Sequence, residues 1–172
     1  MDTFSVRLAT WPQESDPLRR VRTEVFVVEQ NVAPDEEWDG VDERCVHVLA
    51  CDGLDRPIGT GRLLPDGKIG RMAVVKSWRG RGVGSGILQL LMNEARTRGH
   101  KEVEVAAQTQ AIPFYEKFGF IAYGEEFLDA NMPHCWMSAD LDPDRVVETE
   151  KKKKAHVASA MAEVGTEAVI TS

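Results

Sequence analysis

Chemistry is most concentrated in Arg79-Gly80-Arg81-Gly82-Val83-Gly84-Ser85, which follows the apolar run Ile69–Val75 and opens a helical pattern. A strand feeding a glycine-rich turn at a helix N-terminus makes an anion site, because free N–H groups and the positive end of the helix dipole converge there. Glycine lets the backbone approach phosphate with no Cβ in the way. Arg79 and Arg81 add positive charge beside it. Spacing narrows the ligand: a P-loop needs Gly-Lys-Ser/Thr at its end, and this turn has none. A dinucleotide fingerprint started at Gly80 needs glycine where Ser85 stands, and one started at Gly82 needs it where Ile87 stands. Both nucleotide readings fail.

Other residues carry titratable chemistry. His134, in Met132-Pro133-His134, has a pKa class suited to accepting an amine proton. Glu29 closes the first expected helix and is a second candidate base. His47 sits on an apolar strand face, where a satisfied core histidine is expected. Cys45 and Cys51 share that face, but one strand face cannot wrap a tetrahedral ion alone, so no metal is expected. The three cysteines, with Cys135, form no CxxC pair and read as free thiols of a reducing cytoplasm.

The elements that must position these groups follow from periodicity. Thr3–Thr10 alternates as a strand, and Leu18, Val21, Val25 and Val28 recur at helical spacing after Ser15-Asp16-Pro17. Residues 31–43 form an acidic loop holding Asp35, Glu36, Glu37, Asp39, Asp42 and Glu43, suited either to solvation or to steering a cationic amine. Arg44–Cys51 is apolar on both faces, as in an interior strand. Pro57–Leu64 and Lys68–Val75 are strands joined across Asp66-Gly67. Ser85–Arg98 is a helix ended by Gly99, Glu102–Ala107 a strand, and Ala111–Phe118 a short helix ended by Gly119, with strand from Phe120 onward. That order describes a mixed α/β sheet.

The chain of 172 residues suits one domain, expected over residues 1–142, with a charged extension over 143–172 that is helical or disordered. The net charge of −7 argues against a nucleic-acid binder. Met1–Ser5 lacks a basic region followed by an apolar run, and no apolar run is long enough to span a bilayer, so a cytoplasmic location is expected.

Arg79-x-x-Gly82-x-Gly84 resembles the pyrophosphate signature of the Gcn5-related N-acetyltransferase (GNAT) superfamily. Ala111–Phe120, with its aromatic pair and closing Gly-Phe, resembles that superfamily's second signature, and it follows in the family's order. The resemblance covers roughly residues 3–141. It implies an α/β GNAT fold (the acyl-CoA N-acyltransferase fold), a strongly curved mixed β-sheet flanked by helices. It implies acetyl-CoA as co-substrate, no metal, an amine acceptor that is a small molecule or peptide, and a candidate homodimer. Acetyl transfer would run by direct attack in a ternary complex.

By the same match, Met72, Ala73 and Val74 meet the donor through main-chain atoms. The phosphates fall to Arg79, Gly80, Arg81, Gly82, Val83, Gly84 and Ser85, with Phe114 nearby. Tyr115 takes the general-acid position, and Gln108 stands where many members carry an Asn that binds pantetheine. Arg22–Gln30, Asp39–Asp42, His47, Gly61–Leu63, Ala107-Gln108 and Met132–His134 resemble the ElaA-like branch. That makes Arg22, Glu29, Gln30, His47 and His134 candidates to line the acceptor pocket.

Overall fold

Alternating and apolar runs become strands and the helical stripes become helices over residues 3–142, which the computed structural model describes. The residues expected to form the charged extension lie outside the described residues. The strands are β1 (Phe4–Ala9), β2 (Val46–Asp52), β3 (Pro57–Leu63), β4 (Lys68–Val74), β5 (Glu102–Gln108), β6 (Ile121–Asp129) and β7 (Met132–Asp140). They form one mixed sheet in the order β1-β2-β3-β4-β5-β7-β6. All neighbours are antiparallel except β4 and β5.

The helices are α1 (Ser15–Arg22), α2 (Pro34–Glu37), α3 (Val83–Thr97) and α4 (Ile112–Glu116). A helix of fifteen residues is marginal alone. Burial of Ile87, Leu88, Leu91, Met92 and Ala95 against the sheet holds α3 in place, at about 1.5–3 kcal/mol for each fully buried large aliphatic side chain. The close approach needs glycine on β3. A Cβ at Gly61 would lie 2.7 Å from Met72 Sδ and 2.8 Å from Leu91 Cδ1. The single helix expected through Val28 instead widens at Thr23 into a π-helical segment, Thr23–Glu29. Such widened turns recur at functional sites.

The acidic loop is not simply a solvated segment. Arg22, only 1% exposed, donates through Nε to Glu37 at 2.6 Å and through Nη1 to Asp42 at 2.6 Å. Arg62 Nη1 reaches the same Asp42 oxygen at 2.9 Å, and its fork also engages Asp39. Arg71 lies against Glu37 at 3.2 Å and donates to the Glu37 carbonyl at 3.2 Å. Three cations thus meet three carboxylates largely out of water, joining α1, the loop, β3 and β4. Trp38 closes the group, with the Arg22 guanidinium 4.7 Å from its ring centroid.

This network sits at the bend of the sheet. Thr60 pairs with Ala73 and Arg62 with Gly70, so two residues along β3 oppose three along β4. The extra residue is a bulge in which Arg71 holds φ +50°. Parallel pairing of β4 with β5 covers only Lys68–Glu104 and Ile69–Val105. Beyond the bulge the two strands diverge.

Removing one partner of a buried ion network strands the others, at a cost of about 3–5 kcal/mol. Arg22→Ala should therefore lower unfolding free energy by about that amount in urea titration, and a loss below about 1 kcal/mol would contradict a buried network. Acid should act in the same place. Burial raises the Asp39 pKa, but its hydrogen bonds from Arg62 outweigh that and hold it at about 2, against 3.8 ordinarily. A depressed carboxylate stabilises above its unfolded pKa, so this contribution should be intact above about pH 4 and lost as pH falls toward 2.

Candidate active site

Where β4 leaves β5, the edge of β4 that would have faced β5 loses its partner strand beyond Ile69. Met72, Ala73 and Val74 stand on this stretch; Ala73 and Val74 pair with β3 on the other side, and Met72 lies in the bulge. The chain then runs through a short 3₁₀ turn, Lys76–Trp78, into the glycine-rich turn and α3. Gly82, at φ +85°, is the N-cap of α3, and no side chain caps it among the described residues. A Cβ at Gly80 or Gly82 would meet nothing within 4 Å. The backbone of the turn therefore has open space beside it at both glycines.

Within the turn the side chains divide. Val83 is buried in the core and offers only its N–H, while Ser85 follows in the first turn of α3. Arg81 places its guanidinium 4.9 Å from the Trp78 ring centroid. Phe114 packs beneath the turn, 3.6 Å from where a Gly84 Cβ would be.

A cleft of about 240 Å³ opens at the divergence. Gly70 and Ala106 line it on β4 and β5, and Tyr115, Gln108, Gln30 and His134 also border it. Pro113 sits in the first turn of α4, where its fixed φ suits a helix start and its missing N–H costs nothing. That helix delivers Tyr115, which packs edge-on against Phe114 and Phe120. Burial raises the Tyr115 pKa to about 12, so its hydroxyl keeps its proton across the physiological range.

His134 pairs with Gln108 across β5 and β7 and stacks on Phe127. Its Nδ1–H donates to the Met132 carbonyl at 2.7 Å. A carbonyl can only accept, so the neutral ring carries its lone pair on Nε2. A free imidazole nitrogen is the chemistry a proton acceptor needs. Gln108 donates to Gln30 at 3.0 Å and accepts from Gln110 at 2.6 Å, forming an amide chain at the end of β5.

Three expected acceptor-site residues stand elsewhere. Arg22 is consumed by Glu37 and Asp42 beneath the loop and does not border the cleft. His47, 1% exposed, donates from Nε2–H to the Asp42 carbonyl at 2.8 Å and stacks on Trp11, while burial pushes its pKa down. Glu29 forms a two-pronged pair with Arg79 at 2.7 Å for each contact. The Arg79 hydrogen bonds hold its carboxyl below the ordinary value, which makes it a poor base. Arg79 is committed in turn: its Nε donates to the Val74 carbonyl at 2.9 Å.

Gly70, Ala106, Arg71, Asp129 at the end of β6 and the turn residue Ala130 border the cleft without having been singled out in the sequence. An arginine inside an otherwise apolar strand was the available signal for Arg71. Small floor residues give none. Among the described residues, no group of three or more His, Cys, Asp or Glu is placed to hold a metal, and no helix is long and apolar enough to cross a membrane.

Residues 15–141 match the Acetyltransferase (GNAT) domain family. The uncharacterized N-acetyltransferase YjcF of Bacillus subtilis is 44% identical over 124 residues, covering 70% of this chain and 88% of that protein. Among solved structures, Escherichia coli ElaA superposes with TM-score 0.69 at 28% identity, over 81% of this chain and 100% of its own. An acyl-CoA N-acyltransferase of Pseudomonas aeruginosa gives TM-score 0.69 at 28% identity, over 81% and 99%.

The bare turn generates a direct test. Gly82→Ala places a Cβ at a left-handed position, with strain of about 1–2 kcal/mol, in the open space beside the turn. The folded variant should bind acetyl-CoA about tenfold more weakly in calorimetry, or about 1.4 kcal/mol. Unchanged affinity would move the phosphate site away from this turn.

Proposed function

Because the chain belongs to the GNAT acetyltransferase family, in its ElaA-like branch, we propose that it acetylates a primary amine from acetyl-CoA by direct attack in a ternary complex. The observation that carries this reading is the juxtaposition of three features. The divergence of β4 from β5 and the Tyr115 side chain meet at one cleft, and from there β4 runs on into the bare glycine turn that opens α3.

The residues present fit the donor. The N–H groups of the turn and first helical residues, from Gly80 to Ser85, would hold the pyrophosphate. The exposed edge of β4 at Met72–Val74 would hydrogen-bond the pantetheine arm, with Gln108 as a side-chain partner. When bound, acetyl-CoA supplies an activated acyl group on a thiol leaving group. A backbone N–H near Ala73 or Val74 would stabilise the negative charge that develops on the acyl oxygen.

On the acceptor side, Nε2 of His134 takes the proton that the amine must lose. The amine nitrogen bonds to the acyl carbon, the carbon–sulfur bond breaks with its electron pair going to sulfur, and the new amide leaves as product. Exposed carboxylates of Glu36 and Asp129 at the cleft favour an acceptor that carries further positive charge.

The Tyr115 pKa decides how that residue acts. A departing thiol has a pKa near 8.5, so full proton transfer from a phenol at about 12 is uphill by roughly 3–4 units. Tyr115 therefore serves mainly by donating a hydrogen bond to the developing thiolate.

Tyr115→Phe keeps the packing ring and removes the donor. The change should leave acetyl-CoA affinity within about twofold and lower kcat by about ten- to hundredfold, or about 1.4–2.8 kcal/mol. Any basic limb of the wild-type pH–rate profile below about pH 11 should persist in the variant. Full activity in Tyr115→Phe would reduce that residue to packing.

A further inference from the structure

The Glu29–Arg79 pair has a position that neither a base nor a phosphate ligand explains. Arg79 hangs from the end of β4, because its Nε donates to the Val74 carbonyl at 2.9 Å. Its two terminal nitrogens grip the two oxygens of Glu29 at 2.7 Å each. Glu29 ends the π-helical segment, and the next residue, Gln30, borders the cleft and accepts from Gln108 at the end of β5. Side-chain hydrogen bonds and the peptide link from Glu29 to Gln30 thus connect β4, through Arg79, Glu29, Gln30 and Gln108, to β5. They span the two strands that the bulge has driven apart. Every nitrogen of the Arg79 guanidinium is already used within the protein.

We propose that Glu29 and Arg79 are positioning residues that strap the acceptor-side segment Thr23–Gln30 across the opening between β4 and β5, so that Arg79 sets acceptor binding rather than gripping the donor phosphates. The proposal rests on the donor site described above for its consequence in catalysis, though the strap itself stands on geometry. The phosphates are left to the backbone of the glycine turn and to Arg81. The strap keeps Gln30 against Gln108, which fixes one wall of the cleft where the amine must arrive beside His134. Loss of the strap loosens that wall while leaving the glycine turn intact.

The two side chains are 41% and 37% exposed. An ion pair that open to water contributes modestly even with two-pronged geometry, at most about 1 kcal/mol or fivefold. The predicted effects are correspondingly small and fall on acceptor binding, whereas those of a phosphate-binding arginine would fall on donor binding. An arginine freed from a competing carboxylate would bind the donor more tightly.

Glu29→Gln and Arg79→Lys in the full chain separate these roles. Calorimetry with acetyl-CoA should give a dissociation constant within about twofold of wild type for both. Backbone hydrogen exchange over residues 23–30 should speed by about three- to fivefold in both, with the rest of the chain unchanged. With whichever amine wild type acetylates fastest, KM for that amine should rise about three- to fivefold while kcat changes less than twofold. The double variant should be no worse than either single one.

Tighter acetyl-CoA binding in Glu29→Gln would overturn the proposal by showing Arg79 to be a phosphate ligand held off by Glu29. Wild-type behaviour of Arg79→Lys would also overturn it, since lysine keeps the charge but not the fork. Unchanged exchange over residues 23–30 would do the same. A wild-type chain that binds no acetyl-CoA would instead remove the donor-site reading, and the exchange measurement would still judge the strap.

Discussion

At Arg71 the backbone adopts a left-handed conformation that costs a non-glycine residue about 1–2 kcal/mol, and it does so at the one place where β4 must turn away from β5. Arg71 is held there because its guanidinium reaches Glu37 and the carbonyls of Glu36 and Glu37, in a network that also takes up Arg22, Arg62, Asp39 and Asp42. The charges balance, three against three, so burial does not leave one uncompensated. Everything downstream follows from that bend. Without the extra residue in β4, parallel pairing with β5 would continue past Ile69 and close the opening. The edge at Met72–Val74, the cleft and the access of Tyr115 to it all depend on the strands parting.

The same network explains the electrostatics of the site. Six of the charges near the cleft cancel one another, so the carboxylates that remain outward at its border are Glu36 and Asp129. Tyr115 is shielded and stays protonated, while His134 is oriented by the Met132 carbonyl with its free nitrogen fixed at Nε2. The groups proposed for the donor, the acceptor and the proton therefore come from separate elements, and each is held by packing or by a hydrogen bond that does not involve a ligand.

Much of this was legible in the sequence. Strand and helix periodicity located β1 to β5, α1, α3 and α4 within a few residues, because half-buried elements must repeat their apolar side chains. The glycine turn announced itself through Arg79–Ser85, and the aromatic helix through Ala111–Phe120. The widened turn at Thr23–Glu29 was not legible, since its apolar spacing reads equally well as an ordinary helix. Nor were the partners of Arg22, Glu29 and His47. A charged or imidazole side chain in the right segment looks like a pocket residue until the fold shows whether a partner from twenty or fifty positions away has already claimed it. Asp42 claims Arg22 in this way, and Arg79 claims Glu29. The bulge at Arg71 left only a faint trace, an arginine in an interior strand.

The most direct test of the central claim is a two-substrate initial-rate matrix, following free thiol released from acetyl-CoA across a panel of small amines, polyamines and peptides. At least one amine should drive release, with double-reciprocal lines that intersect and with protein that carries no acetyl group by intact mass. Absence of release with every amine, or parallel lines accompanied by acetylated protein, would contradict direct transfer at this cleft.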